Sequence, residues 1–135
     1  MAKPRSRDWG TDMTKDTFAF EELAVWRKAV DFASFVYKTT DSFPADERYG
    51  LVSQMRRAAI SVSSNLAEGT SRNSRLDFAR FVEIAYGSLL EVLSQATVAK
   101  ELGYLEAQRY QDLRTMVGEL ARMLSGLRSS LRAKQ

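Results

Sequence analysis

Four stretches of this chain repeat apolar residues at steps of three and four, and no stretch alternates apolar with polar. That period belongs to amphipathic helices and leaves no strand pattern from which a sheet could be built. The first stripe is Trp26, Ala29, Val30, Ala33, Val36 and Tyr37; the second is Leu51, Met55, Ala58, Val62 and Leu66. The third runs through Phe78, Phe81, Val82, Ala85, Leu89, Val92, Leu93 and Ala96. The fourth takes in Tyr110, Leu113, Met116, Val117, Leu120, Met123, Leu124, Leu127 and Leu131.

End signals divide these stripes into helices. The first is expected from Glu21 or Glu22, whose carboxylates suit a helix amino end, to about Thr39. The second is expected from about Asp46 to Ala67, capped by Ser42 or Asp46, with Gly50 near its start and Gly69 as a left-handed cap. Ser74 with Asp77 forms a capping pattern for a third helix over Arg75 to Glu101, which Gly103 closes. The fourth spans about Glu106 to Leu131. Short connections make consecutive helices antiparallel neighbours, so the expected architecture is an all-α, up-down-up-down antiparallel four-helix bundle. Residues 1–17 read as a flexible N-terminal arm, 18–131 as the bundle and 132–135 as a C-terminal tail.

A chain of 135 residues suits one domain, and 44% hydrophobic with 27% charged residues is an ordinary globular balance. No apolar run approaches the roughly 18–20 residues that span a bilayer, and MAKPRSRDWGTDMTKD has no apolar secretory core. With no cysteine, the expectation is a cytoplasmic protein without membrane contact. Histidine is absent too, which removes Glu-x-x-His di-iron sites, axial haem histidines, the usual zinc sites and phosphorelay chemistry. No metal, cofactor or catalytic residue is assigned.

The second helix carries another row beside its apolar one. Gln54, Arg57, Ser61, Asn65 and Glu68 step by three and four, and Glu91 on the third helix can join them. Two readings stand for this ridge. It is a structural network in which Arg57 pairs with Glu68, Glu91 or a neighbouring subunit's acid, or it is a small-molecule or hydrolytic pocket using Arg57, Asn65 and Glu68. Ser61 has no lysine or histidine on that ridge to activate it.

Net charge is +3, and it is unevenly spread. Residues 51–75 hold Arg56, Arg57, Arg72 and Arg75 against Glu68 alone, and residues 106–135 hold six basic groups against three acids. Arginine forks onto phosphate, so Arg56, Arg72, Arg75, Arg114, Arg122 and Arg128 are the candidate nucleic-acid contacts. No aromatic platform is evident among them.

Apolar residues also fall opposite the expected core. Ile84, Gly87, Leu90, Val98 and Leu102 lie on the far side of the third helix, with Ser88 interspersed, and Ile60 does so on the second. Phe35, extended by Phe32 and Val25, does so on the first. Phe35, Ile60, Ile84, Gly87, Leu90, Val98 and Leu102 are therefore the expected contact surface of a homo-oligomer.

The order F-E-E-L-x-V-W-x-K-A, F-P-x-x-E-R-Y-G-L, Q-x-R-R-A-A-x-S-V-x-S-N-x-A-E-G and I-A-x-G-S-L-x-E resembles a bacterial four-helix-bundle family. That family includes the proteins encoded in intervening sequences of 23S ribosomal RNA genes, and the likeness extends over residues 18–128. It implies an all-helical subunit, a cytosolic bacterial setting and a ring-like homopentamer, and no catalytic activity is established for the family. The accessory proteins of diversity-generating retroelements are similar in fold. Their likeness implies RNA or a nucleic-acid enzyme as a partner, met through a basic surface. The combined expectation is a non-enzymatic oligomeric scaffold or binding module.

Overall fold

The computed structural model describes residues 16–133, so the expected arm over 1–15 and the tail beyond 133 lie outside the described residues. A short 3-10 turn, Ala19–Glu22, leads into α1 (Ala24–Thr40). Then come α2 (Ser53–Gly69), α3 (Arg75–Glu101) and α4 (Ala107–Arg132), with no strand among the described residues. At 1.5 Å per residue the long pair, α3 and α4, reach about 40 Å, and α1 and α2 about 25 Å.

Each helix runs against its neighbours. Arg56 of α2 reaches Tyr37 and Thr40 at the end of α1, and Ser61 meets Ser88 across α2 and α3. Thr97 meets Tyr110 across α3 and α4, while Lys28 of α1 meets Glu119 of α4. The ring of contacts is thereby closed, and one core fills it: Phe32, Met55, Leu66, Phe78, Leu89, Leu113 and Leu124 are all sealed from solvent. Trp26, Val30, Leu51, Phe81, Leu93, Tyr110, Met116, Met123 and Leu127 are half-buried at its margin.

Several expectations change. Val25 and Phe32 are core, because α1 is covered by α2 on one side and α4 on the other, and Val25, Ala29, Phe32 and Val36 form its sealed stripe. Tyr37 is instead exposed, with the Arg56 guanidinium 4.5 Å from its ring centroid. The second helix does not run unbroken from Asp46. Pro44 precedes a 3-10 turn (Ala45–Glu47), a single π-type turn follows (Arg48–Val52), and the backbone leaves helical geometry at Gly50. Neither Ser42 nor Asp46 caps; the Glu47 carboxylate accepts the Leu51 amide at 3.2 Å.

Gly69 is not a left-handed cap but the last residue of α2, and positive φ belongs to Gly103 at 83°. The free carbonyls of α2 are taken up by side chains, Thr70 Oγ1 to Ala67 at 2.7 Å and Ser71 Oγ to Glu68 at 2.7 Å. What requires glycine at 69 is space. A Cβ there would stand 2.6 Å from Phe78 Cδ1. Ser74 caps α3 as expected, accepting the Asp77 amide at 3.0 Å.

Candidate functional site

On the ridge of α2, Gln54, Arg57 and Glu68 are exposed, while Ser61 and Asn65 are half-buried against α3. Ser61 Oγ lies 2.8 Å from Ser88 Oγ, and Ser88, expected outside, is buried at this crossing. Asn65 Nδ2 donates to the Ser61 carbonyl at 2.8 Å and to Ser61 Oγ at 2.9 Å. All of these groups are neutral and none can take the hydroxyl proton, so the triad works as a hydrogen-bonded seam between helices. Its small side chains let the two backbones approach.

The ridge does not assemble further within the subunit. Glu68 pairs with Arg72 at 3.1 Å rather than with Arg57, and Arg72 in turn lies 4.6 Å over the Phe81 ring. Arg57 and Glu91 are both exposed, and neither enters an ion pair among the described residues. Gln95 Oε1 is buried with no hydrogen-bond partner among the described residues.

Beside this ridge the outer face of α3 is apolar. Ile84 is 51% exposed, Leu90 44%, Val98 48% and Leu102 55%, with Ile60 of α2 at 42%. Gly87 is exposed, and a Cβ there would meet nothing within 4 Å. Phe35 leaves this set. It is half-buried against the core, and its ring faces the Arg109 guanidinium at 5.3 Å.

The six candidate nucleic-acid arginines divide in two. Arg56 donates to Thr40 Oγ1 at 2.9 Å and to the Tyr37 carbonyl at 3.1 Å, closing the end of α1. Arg72 holds Glu68, and Arg75 donates to the Ser130 carbonyl at 2.7 Å. These three are bound into the fold. Arg114 and Arg122 are exposed on α4, and Arg128 lies 5.6 Å over Tyr86. Aromatic rings do accompany this second group, since Arg114 and Lys100 flank Tyr110 at 5.9 and 5.2 Å. Arg114 and Tyr110 stand four residues apart on one helix and were open to spacing, whereas Tyr86 and Lys100 come from α3 and were not. The hydrogen bond with Thr97, and then that from Arg114, pull the Tyr110 phenol below its ordinary pKa.

A cavity of about 330 Å³ opens at the far end of the bundle, lined by Lys38, Thr39, Ser42, Gly103, Tyr104 and Arg109 among others. It includes no ridge residue. It joins the end of α1 to the turn before α4, segments too distant in the chain for spacing to connect. Among the described residues, no helix is long and apolar enough to cross a membrane.

The described residues define an all-helical, antiparallel bundle with a neutral polar seam. The chain belongs to the 23S rRNA-intervening sequence protein family, which matches residues 21–126. Among solved structures, it is similar to the crystal structure of a protein of unknown function from the S23 ribosomal protein family of Bacteroides thetaiotaomicron VPI-5482. The TM-score is 0.70 at 20% identity, over 82% of this chain and 100% of that one, a likeness of fold. Among curated proteins, none matches this sequence.

Proposed function

We propose that this protein is a non-enzymatic scaffold that works as a homo-oligomer, with copies covering one another along the outer side of α3 and the adjoining flank of α2. The supporting observation is the exposed row Ile84, Val98 and Leu102 beside Ile60, an apolar surface that no part of the described subunit covers. Burying one such side chain is worth about 1.5–3 kcal/mol, and several together offset the entropy of association. A second copy suits this face because it is self-complementary in charge. Arg57 and Glu91 lie on it with opposite signs and without intrachain partners among the described residues. Family resemblance favours five copies in a ring.

Light scattering after gel filtration at micromolar concentration tests this reading. The expected mass is a multiple of the 15.3 kDa subunit, five for the ring. Ile84→Asp and Val98→Asp should each lower that mass while leaving the helical circular dichroism unchanged. A wild-type protein running only at 15.3 kDa overturns the reading.

A further inference from the structure

The cavity at the Gly103 pole collects charged groups that the fold leaves unpaired. Lys38 comes from the last turn of α1, Ser42 from just beyond it, and Glu106 and Arg109 from the start of α4. Lys38, Arg109 and Glu106 enter no ion pair among the described residues. Two cations against one acid leave this lining net positive. The Arg109 guanidinium is held in place, since Nη1 donates to Thr39 Oγ1 at 3.4 Å and the group lies 5.3 Å from the Phe35 ring centroid. A guanidinium has five N–H donors, and most of its fork stays open to an oxyanion. Lys38 makes no hydrogen bond or ion pair with the described residues, so its ammonium is uncommitted.

The backbone around the cavity adds to the same sign. At the end of α1, the Thr39 carbonyl accepts from Ser42 Oγ at 3.4 Å and the Thr40 carbonyl from the Phe43 amide at 3.1 Å, so these acceptors are already engaged. Helix α4 begins here with Glu106 as its cap residue, and no side chain caps its first amides. The positive end of the α4 dipole therefore supplements the two cations. Gly103 turns the chain at φ 83° without adding a side chain, and a Cβ there would meet nothing within 4 Å, so the mouth stays open.

We propose that this cavity binds a small hydroxylated phosphomonoester, a polyol or sugar phosphate, with Lys38 and Arg109 on the phosphate and Glu106 and Ser42 on the hydroxyls. Its volume of about 330 Å³ lies at the small end of small-molecule sites. A phosphomonoester carries about −1.5 to −2 charges at pH 7, which matches two cations, whereas a lone carboxylate leaves one of them unmatched. Glu106 has no cation to hold and accepts a hydroxyl proton, while repelling any second phosphate. Ser42 Oγ gives its own proton to the Thr39 carbonyl and so offers a hydroxyl only lone pairs. Tyr104 supplies no further donor, because its hydroxyl is spent on Glu47 and its ring leans on Phe43 at 5.8 Å. The inference is independent of self-association, since every residue it uses belongs to one subunit.

The test is isothermal titration calorimetry of the full chain in phosphate-free buffer at fixed ionic strength. Glycerol 3-phosphate, inorganic phosphate, glycerate and dimethyl phosphate are the separate titrants. Glycerol 3-phosphate should saturate one site per subunit, several-fold tighter than inorganic phosphate and about tenfold tighter than the two monoanions. Lys38→Gln and Arg109→Gln should each weaken it about tenfold. Glu106→Gln should leave inorganic phosphate bound at least as well while shrinking the advantage of glycerol 3-phosphate over it. If Arg109→Gln fails to fold for want of its Thr39 contact, Lys38→Gln carries the test, since that side chain is exposed and holds no partner in the described fold. No saturation at millimolar glycerol 3-phosphate, equal or tighter binding of glycerate or dimethyl phosphate, or undiminished affinity in folded Lys38→Gln overturns the proposal. An unchanged preference in Glu106→Gln overturns the placing of the hydroxyls.

Discussion

Gly69 and Ser88 show what single positions do where α2 and α3 meet. Both occupy places where a larger side chain would hold the two helices apart: the absent Cβ of Gly69 leaves room for Phe78, and Ser88 is small enough to bond Ser61 at 2.8 Å. Gly69→Ala places a methyl group at 2.6 Å from an aromatic carbon of a fully buried ring, which must shift. It should destabilise the fold by about 1–3 kcal/mol, read as a lower urea midpoint with unchanged slope. Wild-type stability in that variant would mean the packing relaxes freely. From sequence, a glycine after a long apolar stripe reads as a chain-reversing cap, the common use of that residue. Its real role depends on Phe78, nine residues on and across the turn, so local spacing could not reveal it. Ser61 and Asn65 were legible as a ridge, yet the hydroxyl that completes them comes from the next helix.

Among the elements, α3 was readable to the residue because Ser74, its stripe and Gly103 all point the same way. The approach to α2 was not. Periodicity extended that helix back to Asp46, but the backbone enters through a 3-10 turn and a π-type turn, held at Glu47. One carboxylate oxygen takes the Leu51 amide, and the other accepts from Tyr104 Oη at 3.3 Å, tying this entry to the turn before α4. Partial burial, and next the charge of Glu47, raise the Tyr104 phenol above its ordinary value of 10.0. A phenol with a raised folded pKa contributes stability that is complete below 10.0 and is lost as pH rises through the folded value. Separately, Glu47→Ala removes the acceptor of the Leu51 amide and should cost about 0.5–2 kcal/mol. It should also move one phenolate transition in the ultraviolet titration down toward 10.0. An unmoved transition would separate Tyr104 from Glu47.

For the whole molecule, the bundle was legible because four helical-period stripes joined by short connections admit few arrangements. The inward and outward sides of α1 were harder, since which of its apolar residues is covered depends on α2 and α4 flanking it together. Phe35 and Phe32 illustrate this, three residues apart and differently placed. If subunits cover one another along α3, folding and association are linked, and the melting temperature should rise with protein concentration across a hundredfold dilution series. Ile84→Asp should flatten that dependence. A concentration-independent wild-type melt would make each subunit thermodynamically separate.

The Arg75 bond to the Ser130 carbonyl, together with the packing of the Ala19–Glu22 turn on α2, has a practical corollary. Both places where the backbone enters and leaves the described bundle sit beside the α2–α3 connection, at the opposite pole from Gly103 and its cavity. Partners grafted where the described bundle begins and ends, at residues 16 and 133, should thus emerge at one pole and leave the other pole free, which suits the bundle to display or tethering.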